Sequence, residues 1–264
     1  MITRQEIEHL SEIIRELYLA EDIPWVLGYS GGKDSTATLQ LVWYALQELP
    51  EWQRTRKPVH VISTDTLVES PVIVKWVERS LTRIRNESEK QKMPFVVHRL
   101  RPKINQTFWV NLLGRGYPYP KSTFRWCTSR LKIMPSNDFI KSVVSEYGEA
   151  ILLLGTRKEE SSRRAQNMER YEKLRVRDYL SPNGSMQNGL VFSPLEKWSS
   201  QDVWFYLMQY RNPWNFDNKD LMNLYRGASE DAECPIVMDL SMPSCGNSRF
   251  GCWVCTVVEK DKSM

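Results

Sequence analysis

The run Trp25-Val26-Leu27-Gly28-Tyr29 breaks into Ser30-Gly31-Gly32-Lys33-Asp34-Ser35 before a helical pattern resumes, and no other stretch constrains the chain as much. A short apolar run of this kind fits a buried parallel strand, and adjacent glycines let backbone approach a ligand closely. The first turn of the following helix leaves its N–H groups unpaired, so strand, turn and helix together form a cradle for an anion. Lys33 adds a point charge for phosphate oxygens, and Asp34 offers a carboxylate for a magnesium ion. A Walker A loop is excluded, because it needs glycine at position 27 and a hydroxyl after the lysine, where this chain has Leu27 and Asp34.

The remaining pattern alternates strands and helices. Ile7, Leu10, Ile13, Ile14 and Leu17 stand at helical spacing between Thr3 and Ala20. After the cradle a helix is expected from about Asp34 to Leu46, then a strand over Pro58–Thr64 and a helix from about Pro71 to Gln91. Phe95–Leu100, Ala150–Leu154 and Leu190–Phe192 are further strand candidates, and Ser181–Gly184 is a turn. Ser199 with Asp202 three positions on opens a helix to about Tyr210. At 264 residues this is one large α/β domain or such a domain with an appended module. Polar groups at the carboxyl ends of its strands lie where such sheets bind ligands. Asp65 is one of these, although it could equally cap a helix. His60, inside a strand, is expected to pack or lie at an edge.

Thirty-six basic and 32 acidic side chains leave a net charge of only +4, so attraction to nucleic acid depends on clustering. From Arg99 to Asn137 there are eight basic residues and no acid, interleaved with Phe108, Trp109, Tyr117, Tyr119, Phe124 and Trp126. Such a stretch suits a phosphodiester backbone with base stacking, with Arg101, Lys103, Arg115, Lys121 and Arg125 as the contacts to DNA. A solvated loop whose aromatics fold back onto the core is the alternative. The N-terminus shows no apolar signal region, and no apolar run approaches the about 20 residues that span a bilayer, so a soluble cytoplasmic protein without membrane contact is expected.

Three of five cysteines fall within eleven residues, Cys245, Cys252 and Cys255, which points to metal ligation in a reducing compartment. A zinc ribbon would show a second C-x2-C, and none exists, whereas four thiolates suit a [4Fe-4S] cluster. Cys127, just before a helix start that favours a thiolate, is the expected fourth ligand. Cys234 is the runner-up ligand or a sulfur-carrying thiol.

Ser30 to Ser35 resembles the SGGKDS loop of the PP-loop ATP pyrophosphatases, which cleave ATP between its α and β phosphates. Thr64-Asp65-Thr66 resembles the S/T-D-T of the sulfonucleotide reductase branch, where this place contacts the nucleotide. Gly155, Arg157, Glu160, Ser161 and Arg164 match that branch's G-x-R-x-x-E-S-x-x-R, and the stretch from Cys127 to Pro135 partly matches its cysteine element, with one cysteine instead of an adjacent pair. Over nearly the whole chain, F-R-W-C-T-x-R-L-K, L-L-L-G-T-R, N-K-D-L, Y-R-G-A-S and F-G-C-W-V-C-T are similar to the PP-loop proteins of Dnd/Ssp-type DNA phosphorothioation systems.

The resemblance implies a doubly wound, mostly parallel α/β sheet of the adenine nucleotide alpha hydrolase-like kind, with a C-terminal cysteine-rich iron–sulfur segment. Residues 1–210 form the nucleotide-binding domain, including the basic loop at 99–128, and residues 211–264 the cluster segment packed on it. ATP and magnesium occupy the loop, with Lys33, Asp34 and Arg157 catalytic, and a DNA phosphate is adenylated and then sulfurated. A cysteine desulfurase and other subunits of a phosphorothioation complex are the implied partners. Two rivals are a reductase of small sulfonucleotides, which expects a catalytic cysteine that Thr256–Met264 lack, and a non-catalytic, nucleotide-gated DNA-binding subunit.

Overall fold

In the computed structural model, which describes residues 2–121, 124–184, 186, 188–227 and 252–254, the strand feeding the glycine turn lies inside a six-stranded sheet. The strands are β1 (Trp25–Gly28), β2 (Val59–Thr64), β3 (Phe95–Leu100), β4 (Ala150–Leu153), β5 (Ser181–Pro182) and β6 (Gly189–Phe192), in the order β3-β2-β1-β4-β6-β5. All neighbours are parallel except β5, which runs antiparallel to β6. The expected turn at 181–184 therefore begins with two paired residues. Pro182 is tolerated there because β5 is the outermost strand, where a missing N–H breaks no inner ladder.

The helices are α1 (Arg4–Ala20), α2 (Lys33–Gln47), α3 (Glu51–Arg54), α4 (Pro71–Lys90), α5 (Met134–Tyr147), α6 (Ser162–Glu172), α7 (Ser200–Gln209) and α8 (Asn218–Gly227). Their starts follow local chemistry. Thr3 with Glu6, and Ser199 with Asp202, close reciprocal capping boxes, and Pro71 occupies the first turn of α4, where no N–H is needed. Leu39, Leu41, Val42, Trp43 and Ala45 of α2 are all buried, so this helix is apolar nearly all round and lies inside the domain, against α1 and α7.

Alternation along the strands divides the core. Trp25, Leu27, Val59, Val61, Ile151 and Leu153 join side chains of α1, α2, α4, α7 and α8 in the larger apolar cluster. Val26, Ile62, Ala150 and Leu152 face the other way, onto Ile140 and Val143 of α5. Trp43 stacks on Phe95 at 4.6 Å and leans on Trp214 at 5.7 Å. Residues beyond 210, expected to belong to the cysteine-rich segment, contribute Trp214, Leu221 and Met222 to this core.

The basic stretch after β3 carries a 3-10 turn at Ile104–Gln106 and π-helical turns at Val110–Gly114 and Thr128–Ile133, the second running directly into α5. Phe108 and Trp126 stack at 5.3 Å and form, with Val68 and Leu131, a small core of their own. Among the described residues, no helix is long and apolar enough to cross a membrane.

Candidate active site

On its second face the sheet packs against α5, and the part of that face beside α5 walls a cavity of about 1000 Å³. Its floor is apolar, from Val26, Ile62, Leu152 and Val191, and the cradle after β1 forms one end. Such a combination of apolar wall and polar end is what a base linked to phosphates requires.

The cradle is held by its own side chains. Ser35 Oγ donates to the Gly32 carbonyl at 3.0 Å and accepts the Ser30 amide at 3.2 Å. Gly31 has φ +76°, and a Cβ there would lie 2.8 Å from Val77, so the turn needs glycine on both counts. Gly155, after β4, passes so close to α2 that a Cβ would stand 2.8 Å from the Asp34 carbonyl. This close passage brings the next element to the cradle.

Arg157, 3% exposed, donates from Nε to Asp34 Oδ1 at 2.7 Å, and its Nη1 reaches Glu159 at 2.9 Å and the Trp198 carbonyl at 3.2 Å. Lys33 Nζ meets the other carboxylate oxygen, Asp34 Oδ2, at 2.8 Å. Asp34 is thus clamped between two cations. Arg157 meets the loop through Asp34, and its contacts are those of a residue that orients that carboxylate.

Of the residues expected at the nucleotide, Ser30, Gly32, Lys33, Asp34, Ser35, Thr64, Arg157 and Glu160 line the cavity. Gly31 and Gly155 shape it from behind, Ser161 caps α6 by accepting the Arg164 amide, and Arg164 turns its guanidinium to Glu160. Asp65 does not cap the helix that follows and is not among the residues that line the cavity. Ser70 occupies the cap position of α4, while Asp65, buried, receives Arg99 at 2.8 Å, Arg101 at 3.2 Å and the Leu67 amide at 3.0 Å. Thr66, fully buried, places Oγ1 3.7 Å from Cys252 Sγ.

The absence of acid between Arg99 and Asn137 in the sequence is compensated in space. Arg99 pairs with Asp65 and Glu78, Arg101 with Asp65, Lys103 with Asp138 at 2.8 Å, and Lys132 with Glu69 at 3.4 Å. Arg115, Lys121 and Arg125 remain exposed, with no carboxylate partner among the described residues. The aromatics divide likewise: Phe108 and Trp126 fold back into the small core, whereas Trp109, Tyr119 and Phe124 stay exposed. His60, as expected, packs inside, 3.0 Å from His98 and against Phe139.

Cys127 and Cys252, both half-buried thiols, pack against the same small core of Val68, Phe108, Trp126 and Leu131. Cys252 pairs in antiparallel fashion with Glu69, and the Trp253 amide donates to the Val68 carbonyl at 3.1 Å. Cys234, Cys245 and Cys255 lie outside the described residues, among which no group of three or more His, Cys, Asp or Glu forms a metal site.

Three participants were not marked as site residues by the sequence, although Tyr225 and Lys132 stand in two of the runs quoted above. Tyr225 of α8 accepts the Lys33 amide at 3.2 Å, at the mouth of the cradle. Glu69 and Lys132 form an ion pair on the cavity wall. A tyrosine 192 residues from its partner is indistinguishable, in a single sequence, from one that only packs.

A mostly parallel sheet with a glycine cradle after its first strand and a cavity over one face defines the class as α/β. The profile of the phosphoadenosine phosphosulfate reductase domain family matches residues 24–258, and the chain belongs to this family. It is similar to two uncharacterized proteins of Methanocaldococcus jannaschii, 28% identical over 203 residues and 26% over 179, covering 76% and 68% of this chain. The chain spans about a third of the length of these relatives, 35% and 34%. Similar solved structures include the phosphoadenylyl-sulfate reductase of Candida auris in a phosphate complex, 14% identical with a TM-score of 0.42, covering 79% of this chain and 87% of that one. The U34-tRNA thiolase of Methanococcus maripaludis with its [4Fe-4S] cluster is 13% identical with a TM-score of 0.46, covering 93% and 71%.

Proposed function

We propose that the chain performs ATP-dependent sulfur transfer to DNA. One observation supports the reading: Glu69, which lines the cavity that ends in the glycine cradle, is paired along its backbone with Cys252, so the cavity wall and one of the thiol-bearing residues share a strand pairing. A non-bridging oxygen of a DNA phosphodiester attacks the α-phosphorus of ATP, and pyrophosphate leaves into the cradle. Hydrosulfide then attacks the DNA phosphorus, AMP departs with the original oxygen, and a proton is released, so no oxidant or reductant is consumed.

The residues of the cradle serve the first step. Backbone amides and the Lys33 ammonium meet charge that grows on the leaving pyrophosphate, in a site ordered beforehand. Lys33 turning from Asp34 to phosphate uncovers Oδ2, and a single carboxylate plus nucleotide oxygens suits magnesium, which supplies further charge neutralisation when bound. Arg157 keeps Asp34 in place. Cys127 and Cys252 are soft ligands packed against one apolar core, and together with Cys245 and Cys255 they would hold a [4Fe-4S] cluster, with Cys234 the alternative to Cys127 as fourth ligand; such a cluster would carry or deliver sulfide. A cysteine desulfurase is the donor, within a phosphorothioation complex.

The family match favours a second reading, reduction of a small sulfonucleotide in the same cavity. Pyrophosphate release separates the two, since a reductase yields none. With DNA, ATP and sulfide, Lys33→Ala is expected to slow pyrophosphate release about a hundredfold, the scale on which one oxyanion donor acts. Undiminished release in that variant would overturn the assignment.

A further inference from the structure

Two large indoles stand at the surface on the same side of the molecule as the thiols. Trp109 and Trp253 are 40% and 49% exposed, and their ring centroids lie 5.8 Å apart at a tilt of 44°. Neither is loose. Trp109 is braced edge-on by Phe108 at 5.2 Å, which itself stacks on Trp126, and the main chain of Trp253 is held by the hydrogen bond its N–H donates to the Val68 carbonyl. Burying such rings would release apolar area, and the ten tryptophans otherwise include four that are fully buried. Their exposure in a supported pair calls for an occupant.

Charge identifies it. The fold neutralises Arg99, Arg101, Lys103 and Lys132 with carboxylates brought from other elements, and leaves Arg115, Lys121 and Arg125, in the same chain stretch as Trp109, exposed without a carboxylate partner among the described residues. Exposed cations in one stretch with an exposed aromatic face match a nucleic-acid strand, whose phosphates take the cations and whose bases take the rings. In a duplex the base faces are already stacked on their neighbours, so only an unpaired base can lie on an indole.

We propose that Trp109 and Trp253 form a platform on which an unpaired base of the DNA substrate stacks, with Arg115, Lys121 and Arg125 holding the flanking phosphates. The proposal rests on the sulfur-transfer reading for the identity of the strand. It adds that the substrate is presented single-stranded or locally melted, and that the stacked base lies beside Cys252, the residue preceding Trp253, whose backbone pairs with the cavity-lining Glu69.

The test uses the full chain, fluorescently labelled oligothymidine and a duplex of equal length. Wild-type protein is expected to bind the single strand at least tenfold more tightly, with quenching of tryptophan emission. Trp109→Ala and Trp253→Ala should each weaken oligothymidine binding tenfold to a hundredfold, the worth of about one stacked base, and Trp253→Phe should restore most of it in a chain of unchanged circular dichroism. Lys121→Ala should weaken binding to any strand and lower the salt slope by about one. Wild-type affinity in both alanine variants, or a duplex bound as tightly as the single strand, would overturn the platform; oligouridine bound as well as oligothymidine would overturn DNA as its occupant. If Lys33→Ala abolishes pyrophosphate release while both tryptophan variants bind normally, the platform alone fails. If the tryptophan variants lose binding while Lys33→Ala releases pyrophosphate normally, the transfer reading alone fails.

Discussion

Asp34 illustrates how much a single side chain's role depends on neighbours that its own stretch does not contain. Its place beside Lys33 is written in the SGGKDS run, but the guanidinium that takes its other oxygen comes from 123 residues away. Arg157 is almost wholly buried, and removing its guanidinium takes a partner from the Trp198 carbonyl and leaves Asp34 to Lys33 alone. Arg157→Ala is therefore expected to cost roughly 2 kcal/mol of stability, measured as a lowered urea midpoint. Lysine at this position should recover less than half, because it lacks the fork that spans Asp34, Glu159 and the Trp198 carbonyl. His60 makes a prediction of the opposite kind. Burial, and then the neighbouring His98, lower its pKa from the ordinary 6.5 to about 4, and burial lowers that of His98 as well. The unfolded chain thus binds more protons than the folded one between these values, and stability is lost as pH falls from about 6.5 towards about 4. Urea midpoints measured across that window should decline in the native chain and flatten in His60→Phe, with the pH 6.5 to 5 half free of most carboxylate titration.

At the scale of elements, β1, β2, β3, β4 and β6 and the helices α1, α2, α4 and α7 follow from periodicity, capping residues and the glycine turn, and lie within a few residues of where the sequence puts them. What the sequence hides is everything decided across elements. Nothing in Arg99, Arg101 or Lys103 says that Asp65 and Asp138 will neutralise them, because ion pairs carry no periodic signature. The π-helical turns around Asn111 and Arg130 are equally silent, since their wider winding needs no distinctive residue. Helix α8 shows the same limit. Its run of Asn218 to Leu221 is legible as a motif, but its tie to the cradle passes through one hydroxyl, from Tyr225 to the Lys33 amide. Tyr225→Phe removes that acceptor while leaving the ring against Trp204, and a net hydrogen bond is worth about 1 kcal/mol. The Lys33 amide is therefore expected to exchange its proton about fivefold faster in the variant, read by hydrogen exchange of a peptide covering the loop.

For the molecule as a whole, the placement of the helices matters more than their number. Five helices contribute to the larger cluster on one face of the sheet, whereas the smaller cluster on the other joins α5, with the cavity beside it. The site thus adjoins the smaller of the two cores. The segment Cys252–Val254 returns to this same side, where its first residue pairs with Glu69. Glu69 turns its carboxylate to Lys132 in the cavity and its main chain to the cysteine, so one short stretch of polypeptide has two audiences. Whatever crowds into the hollow and nudges that residue is announced, one peptide unit away, to the sulfur.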